Sequence, residues 1–232
     1  MKTITQHITE HLQLGKKLAN TKQYDYSPKT KDELFDCISK EYERQFDEFD
    51  KGNSPFINPK EFCINLNTID TSKIDDMANL FEYSTHNYDI SEWDVSNVRN
   101  MRAMFSHSHF NSDISNWDVS AVEDMSEMFQ ESFFNKDISQ WNVSNVKYMN
   151  SMFHCSKFNK DISQWDVSNV KQMNYMFYRS EFNQDISNWN ISNVVGMKGI
   201  FINSKFNQDL TQWSKQLFSQ IMYKDIEKYV KQ

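Results

Sequence analysis

The sequence contains little glycine, proline or cysteine, with 4 Gly, 3 Pro and 3 Cys among 232 residues. With so few glycines, the chain offers no glycine-rich loop that could cradle a phosphate group. The cysteines, Cys37, Cys63 and Cys155, show no regular spacing, so neither a disulfide framework nor a zinc motif is indicated. This pattern is typical of a protein whose thiols stay reduced, as in the cytosol.

Long apolar runs and an excess of positive charge are also missing. No stretch of about 18 apolar residues is present to span a bilayer, and Met1 to Leu18 alternates apolar with polar residues, unlike a secretory signal. The formal net charge of -7 argues against nucleic acid and anionic membranes as ligands. We therefore expect a cytoplasmic protein without membrane insertion, with exposure on a cell surface or a virion as the alternative.

Aromatic residues, in contrast, make up 15% of the chain and are placed regularly. The six tryptophans follow one another at intervals of 24 residues: Trp93, Trp117, Trp141, Trp165, Trp189 and Trp213. The surrounding text repeats in the same register as F-N-x-D-I-S-x-W-D-V-S-N-V-x-x-M-x-x-M-F, for example from Phe158 to Phe177. A fixed period of this length is the signature of a repeat architecture.

Each repeat contains two apolar patterns. Ile114, Trp117 and Val119 have the I-x-x-W-x-V spacing of the short strand in a leucine-rich repeat, which predicts an extended segment. Residues 122–129 then place apolar side chains on one helical face, which predicts a short helix with Ser120 as its N-cap. Because such a coil is apolar on one side only, coils must stack to bury that side. The predicted fold is an α/β repeat, a leucine-rich-repeat-like right-handed solenoid of strand-turn-short-helix coils with helical caps at both ends.

The segments on either side of the repeat differ from it in character. We predict an N-terminal helix and polar linker in residues 1–28, then a helical cap in residues 29–61 that begins at a capping box, Thr30 to Glu33. The solenoid, one degenerate and about five full coils, covers residues 62–213. A second amphipathic pattern predicts a capping helix in residues 214–232.

Two columns of polar residues run through the repeat. They contain Asn87, Asn111, Asn135, Asn159, Asn183 and Asn207, and Asp89, Asp113, Asp137, Asp161, Asp185 and Asp209. They could form a ladder of metal or ligand sites, or their side chains could bond to backbone groups of adjacent turns. We favour the second interpretation, because a polar residue present in every coil has the distribution of a scaffold element.

A metal-binding motif lies near the N-terminus. His7-Ile-Thr-Glu10-His11 matches H-x-x-E-H, which on a helix places two imidazoles on one face beside a carboxylate, as in one class of zinc peptidases. The sequence shows no third ligand on a second helix, so a solvated helix end is the interpretation that we favour. We predict no enzyme and no catalytic, cofactor-binding or metal residues, with a zinc hydrolase as the alternative.

The repeat wording, as in Phe158 to Phe177, resembles the BspA-like leucine-rich-repeat surface proteins, also known as a Mycoplasma-type domain of unknown function. The resemblance covers about Phe62 to Trp213. It implies a solenoid and, for many members, adhesion or host interaction at a cell surface. Members without an export signal look like intracellular, phage or viral versions, and the family brings no catalytic residues.

Specific recognition must use positions that differ between coils, because the repeated ones are taken up by the core. Several of these positions carry Tyr or a basic residue; Tyr and Arg anchor many interfaces. The candidate partner-binding residues are Arg99, Lys147, Tyr148, Lys171, Tyr175, Tyr178 and Arg179. The predicted function is a non-catalytic protein-interaction or structural scaffold of bacterial or phage type, whose partner is a protein of unknown identity. A surface adhesin exported without a classical signal is the alternative.

Overall fold

A computed structural model describes the chain in two stretches, residues 22–51 and 63–217. In chain order, its regular elements are helix α1 (Lys31–Lys51), strand β1 (Cys63–Asn65), strand β2 (Asn87–Asp89) and helix α2 (Thr211–Leu217). The two strands pair in parallel. Between β2 and α2 the described chain forms turns and extended segments, so its order must come from contacts between coils.

Some of the predicted segments lie outside the described residues. These are the N-terminal helix with the H-x-x-E-H motif of His7, Glu10 and His11, the first core position of the degenerate coil at Phe62, and the C-terminal helix beyond Leu217.

Backbone hydrogen bonds join each coil to the next. Isolated parallel bridges link, in succession, Asp76, Asn100, Asp124, Tyr148, Gln172 and Gly196, which are 24 residues apart. Beside these bridges, alternate N–H groups of one coil donate to carbonyls of the following coil, as from Met125 N to Tyr148 O at 2.9 Å and from Glu127 N to Asn150 O at 2.8 Å. Much of the backbone of a coil is therefore paired with its neighbours, as in other repeat proteins.

The core consists of columns of identical side chains. In one column the phenylalanine rings stack on one another. The ring centroids are 5.6 Å apart for Phe105 and Phe129 and 5.8 Å apart for Phe129 and Phe153. Trp117 and Trp141 lie parallel at 6.5 Å. The predicted core positions of the degenerate coil are buried as well, including Leu66, Ile69, Ile74, Met77 and Phe81. Most large side chains thus lie against an equivalent one in a neighbouring coil, while the degenerate coil carries Leu66 and Ile69 in the isoleucine and tryptophan columns.

The tryptophans also contribute a polar contact. Trp117 Nε1 donates to Ile90 O and Trp141 Nε1 donates to Ile114 O, each at 3.1 Å, and the contact recurs at all six tryptophans. The indole N–H is a donor that costs free energy if it is buried without a partner. Because the acceptor lies in the preceding coil, each tryptophan fixes the register of its own coil against its neighbour.

The prediction of a strand at I-x-x-W-x-V, as from Ile114 to Val119, is wrong. Trp117 N donates to Ile114 O at 3.2 Å, which closes a turn within this segment. The turn lets Ile114 and Trp117 both enter the core although they are three residues apart, an odd spacing that a strand would divide between two faces. The assigned strands lie earlier in the coil, at Cys63–Asn65 and Asn87–Asp89.

The short helix predicted from Val122 to Phe129 is also wrong. Consecutive turns occupy this segment and the residues after it, closed by Met128 N to Met125 O, Gln130 N to Glu127 O and Ser132 N to Phe129 O. Glu127 and Glu131, at the third position of two of these turns, have φ of 62° and 50°, as in type II turns. Ser120 is not a helix N-cap, because no helix follows it; its N–H donates to Asp118 Oδ1.

Helix α1 packs on the first coils. Glu33 N donates to Thr30 Oγ1 at 3.2 Å, and the Glu33 carboxylate accepts from Lys29 N, so the predicted capping box is present in a slightly extended form. Leu34 and Ile38 are buried. Gln45 exchanges two hydrogen bonds with the backbone of Asn65, so its side-chain amide takes the place that a neighbouring strand would occupy at the edge of β1.

Helix α2 also forms side-chain hydrogen bonds with the backbone of a coil, at the other end of the described stack. The amide of Gln216 accepts from Ile191 N at 2.7 Å and donates to Trp189 O at 3.0 Å. Backbone groups of the coil that contains Trp189 are thereby satisfied by a side chain instead of a further coil. At each end of the described stack, a glutamine side chain on a helix therefore forms hydrogen bonds with the backbone of a coil.

One coil lacks a contact that the others make. Asn97, Asn145, Asn169 and Asn193 each donate from Nδ2 to a serine carbonyl of the preceding coil at 2.7 to 2.8 Å. Ala121 stands at the equivalent position. We expect Ala121→Asn to raise the free energy of unfolding by about 0.5 to 1.5 kcal/mol, because the new amide can donate to Ser96 O. Urea unfolding followed by tryptophan fluorescence measures the change.

Asn145→Ala is the matched control, since it removes the same contact in the next coil and is expected to lower stability by a similar amount. If Ala121→Asn has no effect while Asn145→Ala destabilises, the added amide does not find its carbonyl.

Candidate functional site

The repeated Asn and Asp side chains bond to backbone groups. Five of the six Asn side chains accept through Oδ1 from the backbone N–H of the equivalent Asn in the next coil, as from Asn111 N to Asn87 Oδ1 at 3.0 Å, which confirms the favoured interpretation of that column. The Asp side chains instead accept from a backbone N–H within their own turn, as from Ser115 N to Asp113 Oδ1 at 2.9 Å. Both columns hold the coil in shape, so a candidate site has to be sought among the variable positions.

The first group of predicted partner-binding residues forms a charged row. Glu123 lies between two basic residues, with its Oε1 3.4 Å from Arg99 Nη1 and its Oε2 2.6 Å from Lys147 Nζ. The hydrogen bond and charge of Lys147 hold the pKa of Glu123 below its ordinary value. Lys171 continues the row and is exposed. Two of the three predicted cations thus share one carboxylate, which reduces the charge that they present to a partner.

Tyr148 lies next to this row and is 39% exposed. Its backbone forms bridges to Asp124 and Gln172, so the ring projects from a fixed position. It belongs to the charged row by location and is separate from the other predicted tyrosines.

The second group forms what we call the aromatic patch, defined by His154, Tyr175, Tyr178, Arg179 and Lys198. Tyr178 stacks on His154 with ring centroids 5.0 Å apart and meets Tyr175 edge-on at 5.9 Å. The Arg179 guanidinium lies over Tyr178 at 5.2 Å, and Lys198 Nζ is 6.0 Å from the Tyr175 ring. The structure therefore brings together Tyr175, Tyr178 and Arg179 as predicted and adds His154 and Lys198.

Gly199 leaves the space that the Tyr175 ring of the aromatic patch occupies. Gly199 has φ of 64°, and a Cβ placed there would lie 2.6 Å from Tyr175 Cε1, so the ring lies directly over the glycine backbone. Tyr175 itself has φ of 56°, a conformation that costs a residue with a side chain about 1 kcal/mol or more. The patch is thus held in position by the backbone.

A cluster of metal-ligating groups shares His154 with the aromatic patch. One ligand atom each from Glu131, His154 and Cys155 lies within 4.8 Å of the other two. Burial lowers the pKa of His154, so the neutral ring is favoured at neutral pH, and burial raises the pKa of the Cys155 thiol. His154 Nδ1 is buried and has no hydrogen-bond partner. The sequence interpretation, which predicts no metal residues, gave no indication of this cluster.

The chain matches the family described as Mycoplasma protein of unknown function, DUF285, twice, over residues 52–155 and 132–231. The chain belongs to this family. Two overlapping matches are what a repeated unit produces in a DUF285 protein, and together they run over most of the chain. Comparisons with curated proteins and with solved structures return no match. Across residues 22–51 and 63–217, no helix combines the length and the apolar character needed to cross a membrane.

The residues that sequence reasoning missed share a detectable signal. Glu131 and Cys155 are 24 residues apart, so they occupy the same position in successive coils, and His154 precedes Cys155. Alignment of the variable positions by coil would place the three together. Lys198 gives the same signal, because it precedes Gly199, which is 24 residues after Tyr175.

The Asp turns predict a dependence of stability on pH. The hydroxyl and backbone N–H of the serine two residues later hold the pKa of Asp118 and of Asp166 below the ordinary value. Because the folded pKa is lower than the unfolded value of about 3.9, the stabilisation is complete above that pH and is lost as the pH falls through the folded pKa. We expect the free energy of unfolding to decline below about pH 4.

The variant Asp118→Asn/Asp166→Asn tests this dependence. Asn142 and Asn190 already occupy the same column and accept from their serines at 3.1 and 3.2 Å, so the turns should form. Urea unfolding from pH 7 to 3 should show a shallower decline for the variant than for the wild type. Equal slopes would show that these carboxylates do not contribute.

Proposed function

We propose that this chain is a non-catalytic protein-interaction scaffold of the BspA-like repeat type, and that it binds a protein partner through the aromatic patch. The observation that carries the proposal is the arrangement of Tyr175, Tyr178 and Arg179. Two tyrosine rings meet edge-on and a guanidinium lies over the Tyr178 ring, on a backbone fixed by neighbouring coils. Tyrosine loses little conformational entropy on binding, and Tyr and Arg are enriched among the residues that dominate interface energies.

The surroundings of the patch favour a partner with acidic groups. Arg179 and Lys198 are exposed at its edge, while the chain as a whole carries a net charge of -7. A local positive rim on a negative protein orients a partner by charge. The charged row is the less favoured surface, because Glu123 pairs with both Arg99 and Lys147.

We also propose that the stacked coils form a leucine-rich-repeat-like, right-handed solenoid. Support comes from the parallel bridges at 24-residue intervals and from the stacked columns of Phe and Trp. The coil differs from the strand-turn-short-helix unit, since turns replace both elements. A solenoid suits a scaffold because the stack can present variable residues of several coils on one surface.

The non-catalytic part of the proposal is supported by the use of the repeated polar side chains. The Asn and Asp columns are engaged with backbone N–H groups. Their carboxylates and amides therefore stabilise the fold. A general acid or base would instead have to be free to contact a substrate.

Tyr175→Ser/Tyr178→Ser tests the binding proposal. Serine already occupies the equivalent positions in other coils, at Ser151 and Ser106, and Ser151 has φ of 53°, so the variant should fold. Affinity purification with tagged wild-type chain from the source cells, followed by mass spectrometry, should identify a partner. We expect its affinity for the purified double variant, measured by calorimetry, to fall by at least about tenfold, a loss of about 1.4 kcal/mol.

Tyr24→Ser is the matched control, because Tyr24 also has a cation, Lys22, over its ring at 5.0 Å but lies before α1. It should bind as the wild type does. Equal affinity of the double variant and the wild type would refute the role of the aromatic patch.

A further inference from the structure

We propose that Glu131, His154 and Cys155 bind one Zn²⁺ ion. This inference does not rest on the proposed partner binding, although the cluster shares His154 with the aromatic patch. The three residues offer a carboxylate oxygen, an imidazole nitrogen and a thiol sulfur within 4.8 Å of one another. Zn²⁺ accepts these three ligand types together, whereas Ca²⁺ and Mg²⁺ prefer oxygen ligands alone.

The distances suit a site that closes around an ion by side-chain rotation. Ligand atoms around a tetrahedral zinc ion lie about 3.5 Å apart, given zinc–ligand bonds of about 2.0 to 2.3 Å. The present limit of 4.8 Å exceeds this separation by little more than an ångström. The backbone that carries the cluster is held by bonds from Glu131 N to His154 O at 2.8 Å and from Cys155 N to Tyr178 O at 2.7 Å.

The state of the histidine supports its role as a ligand. His154 Nδ1 is buried and unpaired, which leaves a polar atom unsatisfied in the present arrangement. The other side of the site is held by Tyr178, whose ring stacks on the imidazole at an interplanar angle of 6°. A neutral ring, favoured by burial, has a lone pair available for a metal.

A fourth residue lies beside the carboxylate. His107 Nδ1 lies 3.3 Å from Glu131 Oε2, and the His107 ring stacks on Tyr83 with centroids 4.8 Å apart. A ring nitrogen at this distance can donate to a metal-binding carboxylate and fix its direction. We therefore assign His107 as a positioning residue and leave the fourth coordination position to water.

Charge and protons balance in the proposed step. Zn²⁺ replaces the thiol proton of Cys155, which passes to solvent, and the resulting thiolate and the Glu131 carboxylate neutralise the two positive charges of the ion. The positive charge of Arg179 acts against a cation here. Two anionic ligands offset that repulsion, so the site requires the thiolate.

Cobalt provides the direct test, because Co²⁺ fits zinc sites and a cobalt–thiolate bond absorbs in the near ultraviolet. Full-length chain is treated with chelator, kept reduced, and titrated with CoCl₂ alone. We expect the thiolate band to saturate at one equivalent and to disappear when ZnCl₂ is added. Cys155→Ser should abolish the band, and His154→Gln and Glu131→Gln should weaken binding by more than about tenfold.

Several controls make the result specific. Cys63→Ser removes an exposed thiol, and His7→Asn/His11→Asn removes the N-terminal H-x-x-E-H motif, so both should retain the band. Gln130 and Asn203 occupy positions equivalent to His154 and Cys155 in other coils, which indicates that His154→Gln and a second variant, Cys155→Asn, should fold. His107→Asn should weaken binding by about tenfold without loss of the band.

The proposal is overturned if the wild type shows no thiolate band with excess Co²⁺. It is equally overturned if the band survives Cys155→Ser or is lost in Cys63→Ser. None of these outcomes depends on the partner of the aromatic patch.

Discussion

The hydrogen bond from each tryptophan indole to a carbonyl of the preceding coil is the contact on which the rest of the structure depends. It requires the indole to be buried and the carbonyl to face it across the coil boundary, as Trp141 Nε1 and Ile114 O do at 3.1 Å. A slip of one residue would break this bond and move the Phe columns out of contact. The tryptophan therefore sets both the register and the period of the stack.

Once the register is fixed, two columns of asparagine side chains have a defined partner in a neighbouring coil. Asn87 and its equivalents pair with the next coil, and Asn97 and its equivalents pair with the preceding one. This explains how a chain that is only 38% hydrophobic can be ordered, because the large aromatic side chains are concentrated in the core and the remaining groups are paired. Function is then confined to positions that the stack does not use.

The sequence predicted the period, the core positions and the capping box, because each rests on a repeated or local pattern. The predicted secondary structure within each coil was wrong. Apolar residues at Val122, Met125, Met128 and Phe129 fit one face of a helix, but consecutive turns of about three residues place them on one side equally well. Left-handed residues such as Glu127 could not be recognised in the sequence, because Gly199 is the only one of the described left-handed positions that carries the expected glycine. The cluster of Glu131, His154 and Cys155 was missed for a different reason, since its residues become neighbours only when coils are stacked.

Variable positions in successive coils combine into surfaces that no single coil contains. Tyr178 shows this most clearly, because its ring contacts His154 of the preceding coil and borders the cluster formed by Glu131 and Cys155. A binding patch and a metal site can therefore share one surface without altering the repeat. Because the variable positions are separate from the core columns, surface residues can change while the columns stay fixed.

Deletion of one coil tests most directly whether the tryptophan register governs the fold. Removal of residues 134–157, which is one period of 24 residues, joins Phe133 to Phe158 and leaves every column continuous. Removal of residues 134–145 takes away half as much chain but breaks the register. In urea unfolding followed by tryptophan fluorescence, the longer deletion should keep a cooperative transition with buried tryptophans, and the shorter one should lose it. A cooperative transition in the shorter deletion, or its loss in the longer one, would contradict the account.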